Sequence, residues 1–172
     1  MTVSQNKIAI MAAFIALSSA LYAIETFIPK PFPFIRVGLA NIIVLFVIIQ
    51  FGFMEGLILG VSKSIIGSII TGSLLSPSFI LSISGSFVAV LLMYAIWKTH
   101  LFGIIGLSVL GSVGNIITQL LIVSLLFTGI PSAKYLFPLL VIVGTINGII
   151  TGFFTFYLLK FYKRRFCVTN ED

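Results

Sequence analysis

Residues 29–42 read PKPFPFIRVGLANI. Three prolines, two phenylalanines, a lysine and an arginine separate two long apolar runs here, and that break decides how the chain divides into helices. Pro29, Pro31 and Pro33 each fix φ near −65° and lack a backbone N–H, so the segment is stiff and cannot continue a helix. One apolar run therefore stops before Pro29, and the next starts at about Gly38.

Composition says what lies on either side. Of 172 residues, 59% are hydrophobic and 8% are charged, and the mean hydropathy is +1.25. A soluble domain carries roughly 25% charged and ~45–50% apolar residues. A chain this apolar cannot hide its surface inside itself, so lipid must cover much of it. It is read as an integral membrane protein, with length for about one domain. The single cysteine, Cys167, and single histidine, His100, allow neither an intrachain disulfide nor a Cys/His metal cluster. The net charge of +6 sits mostly in the tail and short loops, where the positive-inside rule puts it, and is no sign of nucleic-acid binding.

Working outward from the break, runs near the ~20 residues that a spanning helix needs predict six helices, over about 8–28, 38–51, 54–72, 79–97, 101–127 and 138–160. The fold class is all-α, a single transmembrane bundle over 1–172. The second run is short. It just reaches across with Val37 to Phe53 added, or else it is tilted or partly re-entrant. Ser76-Pro77-Ser78, Lys98-Thr99-His100 and residues 128–137 (TGIPSAKYLF, with Gly129 and Pro131 as breakers) read as connections. Six spans put both termini on one side, together with Lys7, Lys98, Lys160, Lys163, Arg164 and Arg165; Lys30, Arg36 and Lys134 fall on the other. Both ends are therefore expected in the cytoplasm of a cell-membrane protein. The first run exceeds the ~7–15 residues of a signal-peptide core and is expected to be retained.

Absent chemistry narrows the function. The acidic residues are Glu25, Glu55, Glu171 and Asp172. No Asp-rich motif supplies the oxygens that hold Mg²⁺ on a diphosphate. GLILGVSKS (56–64) lacks the spacing of a phosphate-binding loop and lies inside a membrane run. No catalytic constellation is visible, so the chain is expected not to be an enzyme and to need no cofactor. Energy from ATP would have to come from another chain.

The polar residues inside the spans are the candidates for function, because each is costly there. A central charge costs ~2.5–3.5 kcal/mol on insertion scales. Lys63 lies ten residues past Phe53, about 15 Å along a helix and hence near mid-membrane. It either snorkels or pairs with a carboxylate such as Glu25, or it faces an interior cavity and meets an anionic ligand. Asn115 and Gln119 are four apart and share a helix face. Asn147 lies midway down the sixth run, and Asn41 opens the second. Each amide could be interhelical glue worth ~0.6–2 kcal/mol; together with Lys63 they make a candidate site in the middle and outer half of the bundle. Small residues recur every fourth position at Ala12/Ala16/Ala20, Ser64/Ser68/Gly72 and Gly144/Gly148/Gly152, spacings that allow close helix packing.

Six helices, cytoplasmic termini, an Ala-x-x-x-Ala first helix and a structured loop after it resemble the substrate-binding S components of energy-coupling-factor (ECF) vitamin transporters. The string PFPFIRVGLANI, with Lys63 and the pair Gly114-Asn115, is similar to the Gx transporter family, also labelled heptaprenyl diphosphate synthase component I. The likeness covers nearly the whole chain. In S components the alanines of the first helix dock on the membrane-embedded T component, and the following loop closes over substrate. The resemblance thus implies docking by Ala12, Ala16 and Ala20 to a T component with its ATPases, and a lid at residues 29–37. In that lid Phe32 and Phe34 would plug the opening. Arg36, with its planar fork, and Lys30 would form a cationic rim above Lys63. The alternative is that both cations meet lipid headgroups and that Arg36 pairs with Glu25. The expected ligand is a small anionic or amphipathic molecule. Two other roles stay open: an accessory membrane subunit of prenyl diphosphate or quinone synthesis, and a scaffold in flavin-linked extracytoplasmic electron transfer.

Overall fold

The computed structural model describes residues 3–27, 38–128 and 130–167, and the lid segment lies outside them. All the regular structure among the described residues is helical. The helices are α1 (Val3–Phe27), α2 (Leu39–Phe51), α3 (Phe53–Ile70), α4 (Pro77–Trp97), α5 (Ile104–Val123, extended by a π-helical turn Ser124–Thr128) and α6 (Ile130–Cys167). Five of them contain a stretch long and apolar enough to cross a bilayer, which makes this a multi-pass membrane protein. The exception is α2. Its 13 residues extend about 20 Å, against a hydrocarbon core of ~30 Å.

The short helix is also the most enclosed. Ala40, Asn41 and the whole run Ile43–Ile48 are buried. A helix buried on every side belongs in the centre of a bundle, and α2 packs on α1, α3, α4 and α6. Its apolar residues run without a polar face, as that position requires. Gly52 ends it with φ 107°, a conformation that favours glycine, and the chain turns straight into α3. In the resulting hairpin Gly56 lies against Ile48, where a Cβ would overlap the Ile48 side chain.

Glycines set the other close approaches. A Cβ on Gly148 or Gly152 would run into the α5 backbone at Val109 or Ile105, so the stripe Gly144/Gly148/Gly152 is an internal seam between α5 and α6. Gly67 similarly admits the Tyr22 ring between α1 and α3. The alanine stripe differs, since Ala12, Ala16 and Ala20 are all exposed on the outer face of α1.

Two connections depart from the sequence expectation. Residues 130–137 are the first turns of α6 and not a loop. Pro131 falls in the first turn, where its missing N–H has no intrahelical partner to lose. Pro138 sits inside the helix, which membrane helices tolerate where neighbours restore the freed backbone groups. Likewise α4 begins at Pro77 itself, with Ser76 as its N-cap residue, two residues before the predicted start.

Candidate functional site

The helices α1 to α5 converge on a polar cavity near the end of the bundle where α1 stops and α2 begins. The lysine comes from α3. Lys63 is 3% exposed, and its ammonium donates to Asn41 Oδ1 in the first turn of α2. That turn opens at Gly38 (φ 78°), whose left-handed backbone supplies no side-chain cap. Glu25, in the last turn of α1, takes over part of the role: its Oε1 accepts the Ala40 N–H at 3.1 Å. A carboxylate is stabilised there by the positive end of the helix dipole. Glu25 is 2% exposed and lines the same cavity as Lys63. Attraction between an acid and a base in one low-dielectric compartment offsets part of the cost of desolvating them.

The facing wall is uncharged and hydrogen-bonding. Ser82 Oγ donates to Ser64 Oγ at 3.3 Å, Ser64 and Ser86 hydroxyls are also 3.3 Å apart, and Ser64 Oγ returns a bond to Gly60 O at 3.1 Å. On α5, Gln119 Nε2 donates to Asn115 Oδ1 at 2.9 Å. These amides have room because α4 carries glycine at position 85. A Cβ there would overlap Asn115 Oδ1 and stand 3.1 Å from Gln119 Nε2. Tyr22 closes one side and ties its hydroxyl to Ser68 Oγ at 3.1 Å. The cavity volume is about 20 Å³, room for about one water molecule.

Hydrogen bonds from α1 and α6 fix α2 laterally. Ser18 Oγ donates to Ala40 O at 3.2 Å, and Thr155 Oγ1 to Ile42 O at 3.4 Å. Ser108 and Thr151, 2.6 Å apart, lock α6 to α5 one layer away.

Of the residues singled out from the sequence, Asn41, Lys63, Asn115 and Gln119 meet in this cavity. Asn147 is not among its lining residues; it is half-buried on α6, where its carbonyl accepts the Thr151 hydroxyl at 2.9 Å. Arg36, Lys30, Phe32 and Phe34 lie outside the described residues. Sequence reasoning passed over Tyr22, Ser82, Ser86 and Gly85. The spacing Ser82–Gly85–Ser86 was a usable signal, since it puts small polar residues on one face of an otherwise apolar helix. Among the described residues no three His, Cys, Asp or Glu side chains come close enough to hold a metal ion.

The fold and the cavity together define a class: a polytopic helical membrane protein with a charged, hydrogen-bonded compartment buried among its helices. Residues 14–158 match the model of the heptaprenyl diphosphate synthase component I family, and the chain belongs to that family. No curated protein and no solved structure matches it.

Proposed function

We propose that this protein is a membrane-embedded substrate-binding subunit, similar in role to the S component of an ECF-type transporter, and that it holds a small molecule with an anionic group. The observation that carries the reading is the convergence of Lys63, Asn41, Asn115 and Gln119 on one buried cavity. Interhelical glue needs pairs; it does not need a lysine and three amides on three helices facing one space. Intramembrane ionisable groups mark ligand or ion pathways by default. The ligand's acid is held by Lys63, assisted by the first turn of α2. The chain itself catalyses nothing, and both of its termini are cytoplasmic.

Lys63→Met tests the reading, because it keeps most of the volume and removes the charge. Small molecules extracted from the gently purified protein are identified by mass spectrometry. The wild type should yield a ligand that Lys63→Met lacks, with the variant still folded. A destabilised Lys63→Met that retains normal ligand would make Lys63 a structural partner of Glu25 and end the proposal.

The partner side rests on α1. Its stripe Ala12, Ala16, Ala20 is exposed and spaced for close helix approach. In the proposed complex it docks on a T component, which in turn carries the ATPases. Ala16→Leu holds the two helices apart and should reduce recovery of the partner without unfolding the chain. Unchanged recovery would leave the stripe to lipid.

The family description favours one second reading, an accessory membrane subunit of a prenyl diphosphate synthase. Co-purification separates the two. A T component with ATPases supports the first, and a soluble prenyl synthase the second.

A further inference from the structure

The lining of the cavity carries information about the ligand beyond its charge. In a chain that is 59% hydrophobic, the largest aliphatic side chain among the cavity's described lining residues is that of Ala40. Apart from Tyr22 and Ala40, the described side chains that line the space are polar or charged. Lys63, Glu25 and Asn41 share the space with Ser82, Ser86, Asn115 and Gln119. Leucine, isoleucine and phenylalanine are abundant on every helix, yet they are kept out of this one compartment.

We infer that the ligand is a compact, water-soluble solute that gives an acidic group to Lys63 and hydrogen-bonding groups to the serine and amide wall, and that no prenyl chain is bound there. This inference rests on the ligand-binding reading and assigns its substrate class. Serine hydroxyls and carboxamides each donate and accept. Their complement is a body of hydroxyl, amide or ring-nitrogen groups. A hydrocarbon tail pressed against them would strip these groups of water and give nothing back. Sites built to hydrogen-bond their substrate reject analogues without the matching groups far more strongly than apolar pockets reject an extra methylene. Gly85 fits the same reading, since the missing side chain leaves the amides of Asn115 and Gln119 their place at the wall. The present volume of about 20 Å³ means that the ligand enters by moving the wall outward, and a compact solute asks least of that motion.

The test uses the full chain in mild detergent and reads the unfolding temperature with two probes: the aqueous metabolite extract of native cells, and farnesyl diphosphate. The aqueous extract should raise the unfolding temperature of the wild type. The concentration of extract needed should rise about tenfold in Gln119→Leu, the loss of roughly one hydrogen bond. It should rise on the order of a hundredfold in Lys63→Met, where the bond is charge-assisted. Ser86→Ala gives a second, milder reading of the same wall if Gln119→Leu folds poorly. Farnesyl diphosphate should stabilise the wild type no more than it stabilises Lys63→Met. If farnesyl diphosphate stabilises the wild type through Lys63, and Gln119→Leu makes no difference, the cavity holds a prenyl diphosphate head. The inference then falls while ligand binding stands. If neither probe stabilises the wild type, the ligand-binding reading fails and takes the inference with it.

Discussion

The two ends of this bundle are built from the same six helices and have opposite interiors. Toward the end that holds the start of α1 and the end of α6, the core is aromatic. Phe46 packs on Phe14 (ring centroids 5.4 Å) and Tyr162 (5.3 Å), and Phe53, Tyr94 and Trp97 continue the cluster. Toward the other end the same helices turn polar, with Glu25, Asn41, Lys63, Ser82, Ser86 and Gln119 all buried. Dispersion between close-packed rings can hold helices together in lipid, where apolar surface alone gives no drive to associate. The aromatic end needs nothing else to explain it. The polar end gains little stability from its buried charges, because desolvation offsets most of what pairing returns. In the proposed reading its chemistry is accounted for by a bound ligand.

The largest effect is expected where packing is the whole role. Phe46 is 1% exposed and touches α1 and α6. Phe46→Ala should cost about 3 kcal/mol, toward the lower end of large-to-small core substitutions, because bilayer folding lacks the water-transfer part. The unfolding temperature should drop, while ligand recovered per folded molecule stays the same. Loss of ligand in the folded fraction would mean that the aromatic end also shapes the cavity, and the contrast between the ends would blur.

A smaller change in stability, with a larger change in binding, is expected at the other end. Gly85→Ala places a methyl on Asn115 Oδ1. The obstructed atom is the tip of a movable side chain, so the overpacking cost should be about 1 kcal/mol. The price falls on geometry: Asn115 must turn away and break its bond to Gln119. Ligand retention should fall about tenfold, the equivalent of one hydrogen bond, with the unfolding temperature nearly unchanged. An unfolding temperature lowered as far as by Phe46→Ala would show that the polar wall is packing after all.

The sequence made the two ends unequally legible. Six apolar runs and their approximate bounds could be read because hydropathy works at the scale of a whole span. The burial of α2 was hidden, since a central helix and a lipid-facing one are equally apolar; only its 13-residue length hinted at the difference. The start of α6 was misread because Gly129 and Pro131 look like loop residues, although proline is at home in a first turn. Lys63, Asn41, Asn115 and Gln119 stood out because charge and amide are conspicuous in apolar runs. Ser82, Ser86 and Gly85 did not, because small residues also serve helix packing and only the neighbour they face tells the two uses apart. Glu25 was visible merely as a possible counter-ion; its bond to the Ala40 N–H depends on where α2 begins.

The smallest expected effect concerns an ion pair at the aromatic end. Lys7 Nζ and Glu55 Oε1 are 2.6 Å apart and link the start of α1 to the start of α3. The lysine side chain is 52% exposed and the glutamate 22%. Exposed pairs contribute ~0–1 kcal/mol and are screened by salt. Lys7→Gln should therefore lower stability by less than about 1 kcal/mol, and the difference from wild type should shrink as salt rises from low to about 1 M, where the Debye length is ~3 Å. Ligand retention should not move at all, because the cavity lies at the opposite end of both helices. The pair does have a second possible consequence. It is placed to hold α1, with its exposed alanines, against the body of the bundle. If Lys7→Gln leaves stability alone but changes partner recovery, the pair acts on the position of α1 and not on the fold. The aromatic end would then contribute to docking as well as to packing.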